Sequence, residues 1–142
     1  MFFFKKKKKK KKSLGSPKKP WRISKRCLDL ILESSKDVYP NEFGGLLRVS
    51  SFDKTLIDEI VMLPGTVSGS THAIFKMHMK PIDFSIIGTV HSHPSPSYNP
   101  SDADLHLFQK SGRIHIIVAN PFNYDSWMAY NGNGEKIKVE IV

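Results

Sequence analysis

The residue types that could do chemistry are concentrated between positions 91 and 104. His91 and His93 are two positions apart, so on an extended strand their imidazoles leave the same face and can bind one ion. Asp104 follows at the start of the next predicted helix and offers a carboxylate oxygen. The spacing therefore predicts a metal site formed by His91, His93 and Asp104.

The number and type of these ligands favour catalytic zinc. Two nitrogens and one oxygen leave the fourth position of a tetrahedral zinc ion open, which is typical of catalytic rather than structural sites. Zinc in such a site lowers the pKa of a bound water toward ~7 and polarises a substrate carbonyl. We therefore expect one zinc ion per chain. Ligand types alone do not separate zinc from iron or manganese, although this set in a hydrolase favours zinc.

A site that activates water also needs a general base, and Glu42 is the best candidate outside this stretch. It lies where a predicted helix ends and a strand begins, and Gly44 and Gly45 permit close approach of the backbone. In this role Glu42 takes a proton from the water and delivers it to the leaving amine. Ser101 is a candidate donor of a hydrogen bond to the oxyanion of the tetrahedral intermediate.

Each of these residues also has a structural interpretation when it is considered alone. Ser101 and Asp104 form a Ser-x-x-Asp pattern, which resembles a helix capping box with Asp in place of Glu. His-x-His pairs occur on strands by chance, and an isolated Glu42 is ordinarily a surface carboxylate. The conjunction of five residues in one catalytic pattern is what favours a hydrolytic metal site.

That conjunction resembles the JAMM motif of the MPN-domain metalloproteases (Mov34/PAD-1-like), which is an upstream Glu, His-x-His, seven residues and Ser-x-x-Asp. Here residues 94–100 are the seven, so every position matches, and the resemblance covers roughly residues 21–142. It implies that His91, His93 and Asp104 are the zinc ligands. It also implies that Glu42 is the general acid/base and Ser101 the oxyanion stabiliser.

The same resemblance implies a fold, a reaction and a substrate class. The fold is α+β, an MPN/JAB1-like (cytidine-deaminase-like) domain with a mixed, curved β-sheet flanked by two helices. The reaction is zinc-dependent hydrolysis of isopeptide or peptide bonds at the C-terminus of ubiquitin-like proteins, by a zinc-activated water with a Glu general base. Because the chain is most similar to small single-domain archaeal members, the expected substrates are conjugates of ubiquitin-like sulfur-carrier proteins.

Two other functions remain open for this sequence. One is a non-catalytic MPN scaffold or interaction module, but such relatives generally lack ligand residues that this chain retains. The other is a nucleic-acid-associated JAMM-like protein that is tethered by its basic arm. The sequence does not specify an oligomeric state.

The elements that must position the motif follow from hydrophobic periodicity and turn residues. Helices are predicted from Ser24 to about Lys36 and from Ser101 to about Lys110. Strands are predicted at Phe43–Val49, Leu56–Leu63, Ala73–Met79, Phe84–His91, Arg113–Ala119, Ser126–Tyr130 and Lys136–Val142. The Asn-Gly-Asn-Gly turn at positions 131–134 joins the last two strands as a hairpin.

The charge of the chain is divided unevenly along its length. The 142 residues suit one domain, and 22 Lys and Arg against 13 Asp and Glu give a formal net charge of +9. Residues 1–26 hold thirteen basic and no acidic side chains, which leaves a net charge of −4 for residues 27–142. We therefore expect residues 1–20 to be a disordered lysine-rich basic arm and residues 21–142 to be the MPN/JAMM domain.

The arm and the remaining composition indicate partners and compartment. Lys5 to Lys12 offer a contact for an anionic partner, nucleic acid or acidic lipid, with Phe2 to Phe4 as shallow membrane anchors. A single cysteine, Cys27, excludes an intrachain disulfide framework and is predicted to be buried in the first helix. No apolar run approaches the ~18–20 residues of a membrane span, and the first apolar residues precede the charges, unlike a secretory signal. A cytoplasmic protein is expected.

Overall fold

The computed structural model describes residues 19–62 and 83–142. Within these ranges the strands are β1 (Trp21–Ile23), β2 (Gly44–Val49), β3 (Leu56–Met62), β4 (Ile86–His93), β5 (Ile114–Ala119), β6 (Trp127–Tyr130), β7 (Lys136–Ile137) and β8 (Val139–Ile141), and the helices are α1 (Lys25–Val38) and α2 (Asp102–Lys110). Neither of these helices is long and apolar enough to cross a membrane. The predicted strand Ala73–Met79 and residues 1–18 of the predicted arm lie outside the described residues, so the boundary at residue 20 stays a prediction.

All described strands belong to one mixed sheet in the order β7-β6-β5-β4-β2-β3-β1-β8. The strand β4 is central, antiparallel to β2 and parallel to β5. The strands β7 and β8 lie at opposite edges of the sheet, yet only Lys138 separates them in the chain. The sheet must therefore curve until its edges nearly meet, which confirms the prediction of a mixed, curved sheet with two helices.

The C-terminal prediction of one strand, Lys136–Val142, is wrong. The segment forms two strands, with β7 antiparallel to β6 and β8 parallel to β1 at the other edge. The side-chain alternation continues through both strands without a break, so the sequence does not show where the partner changes. The strand β1 was not predicted, because three residues are too short to show a period. The other described elements agree with their predicted bounds to within two residues at each end.

The helix α1 packs its apolar side against the sheet. Ser24 caps the helix, because its Oγ accepts a hydrogen bond from the backbone N–H of Cys27 at 3.1 Å. The buried side chains of α1 and the sheet form one core that includes Leu28, Ile31, Ile57, Val90 and Ile116. This core contains side chains from both β4 and β5, and so it fixes the strand that carries the two histidines.

Cys27 is a buried free thiol, as the helical periodicity predicted. Burial is the largest effect that raises the pKa of the Cys27 thiol, from 9.0 to about 12. We expect iodoacetamide at about pH 8 to leave the native thiol unmodified and to label it fully after unfolding, as read by intact mass. Above about pH 9 the unfolded thiol loses its proton before the native one, so this group lowers the free energy of unfolding as the pH rises. Rapid labelling of the native protein would contradict this environment.

Candidate metal centre

The end of β4 and the first turn of α2 bring the three predicted ligands together. The ligand atoms of His91, His93 and Asp104 all lie within 4.8 Å of one another. Nε2 of His91 is 3.0 Å from Oδ1 of Asp104, and Nε2 of His93 is 3.1 Å from Oδ2 of the same carboxylate. One ion could therefore contact all three side chains.

His91 provides the test of whether this cluster fits a metal. Its side chain is 1% exposed, and neither ring nitrogen forms a hydrogen bond within the described part of the chain. Nε2 is close enough to Asp104 for an ion pair but makes no hydrogen bond with it. A buried polar atom without a hydrogen bond costs about 1–3 kcal/mol, and a cation between Nε2 and the Asp104 carboxylate that accepts the imidazole lone pair fits this position. Two imidazoles and a carboxylate are consistent with one zinc ion.

The charges of the cluster prepare Asp104 to act as an anionic ligand. Burial disfavours its carboxylate, but the contacts with His91 and His93 outweigh burial and hold the pKa of Asp104 well below its ordinary value. Burial likewise opposes a charge on His93, whereas hydrogen bonds with Asp104 and with the Ser97 carbonyl raise the pKa of His93 above its ordinary value. The carboxylate is therefore ionised at neutral pH.

The loop between β4 and α2 orients His93. Nδ1 of His93 lies 2.9 Å from the carbonyl oxygen of Ser97, so this nitrogen donates its proton and Nε2 is left to face the cluster. The hydroxyl of Tyr130 donates to the carbonyl of Tyr98 at 2.7 Å. The side-chain amide of Asn120 donates to the carbonyl of residue 94 at 3.2 Å. Contacts from β6 and from the end of β5 thus hold the loop that holds the histidine.

Ser101 is the N-cap of α2. Its Oγ accepts from the backbone N–H of Asp104 at 3.1 Å, and its own N–H donates to Oδ2 of Asp104 at 2.9 Å. The capping box is complete, so the structural interpretation of the Ser-x-x-Asp pattern is confirmed. The same bonds fix the carboxylate that faces the two histidines, and the exposed Ser101 lies beside the cluster. The oxyanion role of Ser101 stays a prediction.

Glu42 is half-buried and lies two residues before β2, at the level where β4 ends. The register pairs Gly44 with His91, which places Glu42 next to the segment that contains the histidines. Its charge contributes to raising the pKa of His93. It is not one of the converging ligands. The five predicted residues therefore gather at one end of β4, and the base role of Glu42 stays a prediction.

Ser92 is a residue that the sequence analysis did not assign. Its buried Oγ accepts the backbone N–H of Phe43 at 2.8 Å, while its own N–H donates to the carbonyl of Phe43 at 2.9 Å. The hydroxyl thus takes the place of a backbone carbonyl as the hydrogen-bond acceptor where the pairing of β2 with β4 ends. It ties the segment of Glu42 to the strand of the histidines. The only signal in the sequence was a small hydroxyl residue between His91 and His93.

A curved mixed sheet that carries two imidazoles and a capping carboxylate at one end of its central strand defines a JAMM-type metal domain. Residues 24–130 match the family described as prokaryotic homologs of the JAB domain. The chain belongs to this family.

Similar proteins support a metalloprotease. A protein of Haloferax volcanii named a probable metalloprotease is 37% identical over 127 residues, which are 84% of this chain and 78% of that protein. A solved structure described as a JAMM metalloprotease-like zinc site in the proteasome and signalosome is 40% identical, with a TM-score of 0.68, and covers 87% of this chain and 99% of its own. A JAB1/MPN-domain protein from Archaeoglobus fulgidus is also 40% identical, with a TM-score of 0.68, covering 85% and 98%.

Proposed function

We propose that this protein is a zinc-dependent isopeptidase or protease that hydrolyses bonds at the C-terminus of ubiquitin-like proteins of the sulfur-carrier type. The observation that carries the proposal is the convergence of His91, His93 and Asp104 within 4.8 Å, with both ring nitrogens of the buried His91 left without a hydrogen bond among the described residues. The metalloprotease class is supported by the relatives, and the substrate is our inference.

The residues of this chain have separate roles in the hydrolysis. His91, His93 and Asp104 would hold zinc, which when bound supplies a Lewis acid that acidifies water and polarises a carbonyl. Glu42 accepts a proton from the attacking water and delivers it to the leaving amine nitrogen. The Ser101 hydroxyl, whose oxygen already accepts the N–H of Asp104, donates its proton in a hydrogen bond to the substrate oxygen as negative charge develops there.

Access to the cluster favours an extended chain end as substrate. The side chain of His93 is 15% exposed and that of Asp104 is 4% exposed, so little of the cluster is open to solvent. Ser101 and the loop before it are open to solvent at its rim. A slender, unstructured tail can reach such a centre, whereas the surface of a folded protein cannot. The C-terminal tail of a ubiquitin-like protein meets this requirement.

The test is a cleavage assay on ubiquitin-like sulfur-carrier proteins that are joined through their C-termini to lysine or to a linear fusion partner. We expect cleavage directly after the terminal residue, located by mass spectrometry, that stops on addition of a chelator and returns with zinc. A sample that contains one zinc ion per chain and cleaves neither kind of bond would contradict the proposed substrate class. Cleavage that a chelator does not affect would contradict the proposed chemistry.

The same observations give less support to the alternative functions. A non-catalytic scaffold has no need of three converging ligands with Glu42 beside them. A nucleic-acid-associated role would rest on the basic arm.

We further propose a cytoplasmic protein, since its single cysteine is a free buried thiol. Recovery of the protein in the secreted fraction would contradict this location.

Ser92→Ala is expected to lower the rate at saturating substrate by at least about tenfold while leaving zinc bound. The buried N–H of Phe43 loses its acceptor while the backbone bond from Ser92 to the Phe43 carbonyl remains, so the segment that carries Glu42 is held less firmly against β4. Ser92→Thr keeps the hydroxyl and should keep most of the activity. Hydrogen exchange at the Phe43 amide should accelerate in the Ala variant only. Unchanged exchange and unchanged rate in Ser92→Ala would show that this hydrogen bond positions nothing.

A further inference from the structure

A second surface lies at the end of β4 that is opposite to the metal centre. Phe52 and Phe84 are 98% and 90% exposed, more than any other large hydrophobic side chain of the described residues. Phe52 lies in the turn between β2 and β3, and Phe84 lies just before β4. The N–H of Val49 donates to the carbonyl of Ser85 at 2.9 Å, which brings both segments to the same end of the sheet. We call Phe52 and Phe84 the phenylalanine tip.

The carboxylates that adjoin Phe52 and Phe84 in the chain are both paired with arginine. Asp53, next to Phe52, pairs with Arg22 and lies 3.6 Å from Nζ of Lys19. Asp83, next to Phe84, lies 3.3 Å from the guanidinium of Arg48. Because Arg48 also lies 3.9 Å from Glu59, the positive charge that an anionic surface requires must come from the lysine arm.

The basic arm joins the domain at this same end. Residues 1–18 contain nine lysines, eight of them consecutive, and three consecutive phenylalanines. The chain enters the described domain at Lys19, whose ammonium lies beside the carboxylate of Asp53, the residue that follows Phe52 in the same turn. A run of lysines next to exposed apolar side chains is the composition that binds anionic bilayers, where each lysine near the surface strengthens binding several-fold and apolar side chains enter the headgroup boundary.

We propose that the phenylalanine tip and the lysine arm together dock the protein on an anionic lipid bilayer. The phenyl rings carry no hydrogen-bonding group, so they fit the acyl boundary of a bilayer. Nucleic acid would be held by the arm alone, because residues 27–142 have a net charge of −4. This proposal is independent of the hydrolytic function.

Docking in this orientation leaves the metal centre open. From Ile86 to His93 the strand β4 spans about 23 Å at the usual rise per residue, and the histidines lie at its far end. A bilayer at the phenylalanine tip therefore does not cover the cluster, and conjugates at the membrane surface could reach it.

The experiment is co-flotation of the full chain with vesicles of phosphatidylcholine that contain or lack about a third of phosphatidylglycerol. We expect binding to the anionic vesicles only, weakened by salt. Phe52→Ser/Phe84→Ser should lower the affinity at least about tenfold. The matched control Leu30→Ser, which removes a half-exposed apolar side chain from α1, should bind as the unmodified protein does. Thermal unfolding of each variant shows whether it is folded.

Three results would overturn the proposal. The double variant could bind anionic vesicles as tightly as the unmodified protein, which would leave the arm as the only contact. The full chain could bind neutral vesicles equally well, which would remove the electrostatic contribution. Single-stranded RNA could bind more tightly than the vesicles, with the double variant unaffected, which would identify a nucleic acid as the partner of the arm.

Discussion

Glu42→Gln is expected to reduce hydrolysis at least about 100-fold while one zinc ion per chain remains bound. The amide keeps the size of the carboxylate but cannot accept a proton from water. Glu42 lies near His93 without joining the converging ligands, so zinc should not be lost with the charge. The rate is measured on a ubiquitin-like fusion, and zinc is measured by elemental analysis of the same sample.

A neutral substitution on the surface is the matched control for this experiment. Glu33→Gln removes a carboxylate that pairs with Lys36 on the exposed side of α1, and the rate should be unchanged. Loss of zinc together with activity in Glu42→Gln would make Glu42 a ligand. Undiminished activity would mean that another group is the base.

The metal ligands could be predicted from the sequence because the information is local. His91 and His93 share a face through the two-residue period of a strand. Asp104 comes to them through the first turn of α2, where the Ser-x-x-Asp pattern also specifies the cap. Only eleven positions separate His93 from Asp104, so a short loop decides the geometry.

The placement of Glu42 and Ser92 depends on strand pairing, which the sequence does not encode locally. The register Gly44 with His91 joins residues that are far apart in the chain. A shift of that register by one residue would turn every side chain of β2 to the other face. The motif resemblance assigned a role to Glu42 without this register. Ser92 has no such assignment, so its bond to Phe43 became visible only in the structure.

The edges of the sheet were the least predictable part of the fold. Alternating residues in the C-terminal segment fit β6 or β1 equally well, because both neighbours need the same period. The choice is made by the closure of the sheet, where β8 pairs with β1 from Trp21–Val139 to Ile23–Ile141. Closure depends on the whole strand order, and no window of a few residues contains it.

Gly88→Ala is expected to cause a large loss of stability, more than about 3 kcal/mol. Gly88 pairs with Ile114 between the parallel strands β4 and β5. A methyl group at position 88 would overlap the carbonyl oxygen of Ile114 and lie 2.7 Å from its carbonyl carbon. Both obstacles are backbone atoms, so β5 itself must move. We expect the midpoint of thermal unfolding to fall by roughly 10 °C.

Gly132→Ala separates this effect from the general cost of replacing glycine. A methyl group at Gly132 meets the carbonyl oxygens of Phe108 and Gly112 at 3.4 and 3.5 Å, which is ordinary contact, so the loss should stay below about 1 kcal/mol. Because β4 also carries His91 and His93, a displaced β5 should weaken zinc binding in Gly88→Ala and not in Gly132→Ala. Equal stability of the two variants would mean that β4 and β5 can separate at Gly88 without cost. The positions of the histidines would then be fixed by the loop after β4 and not by this strand pair.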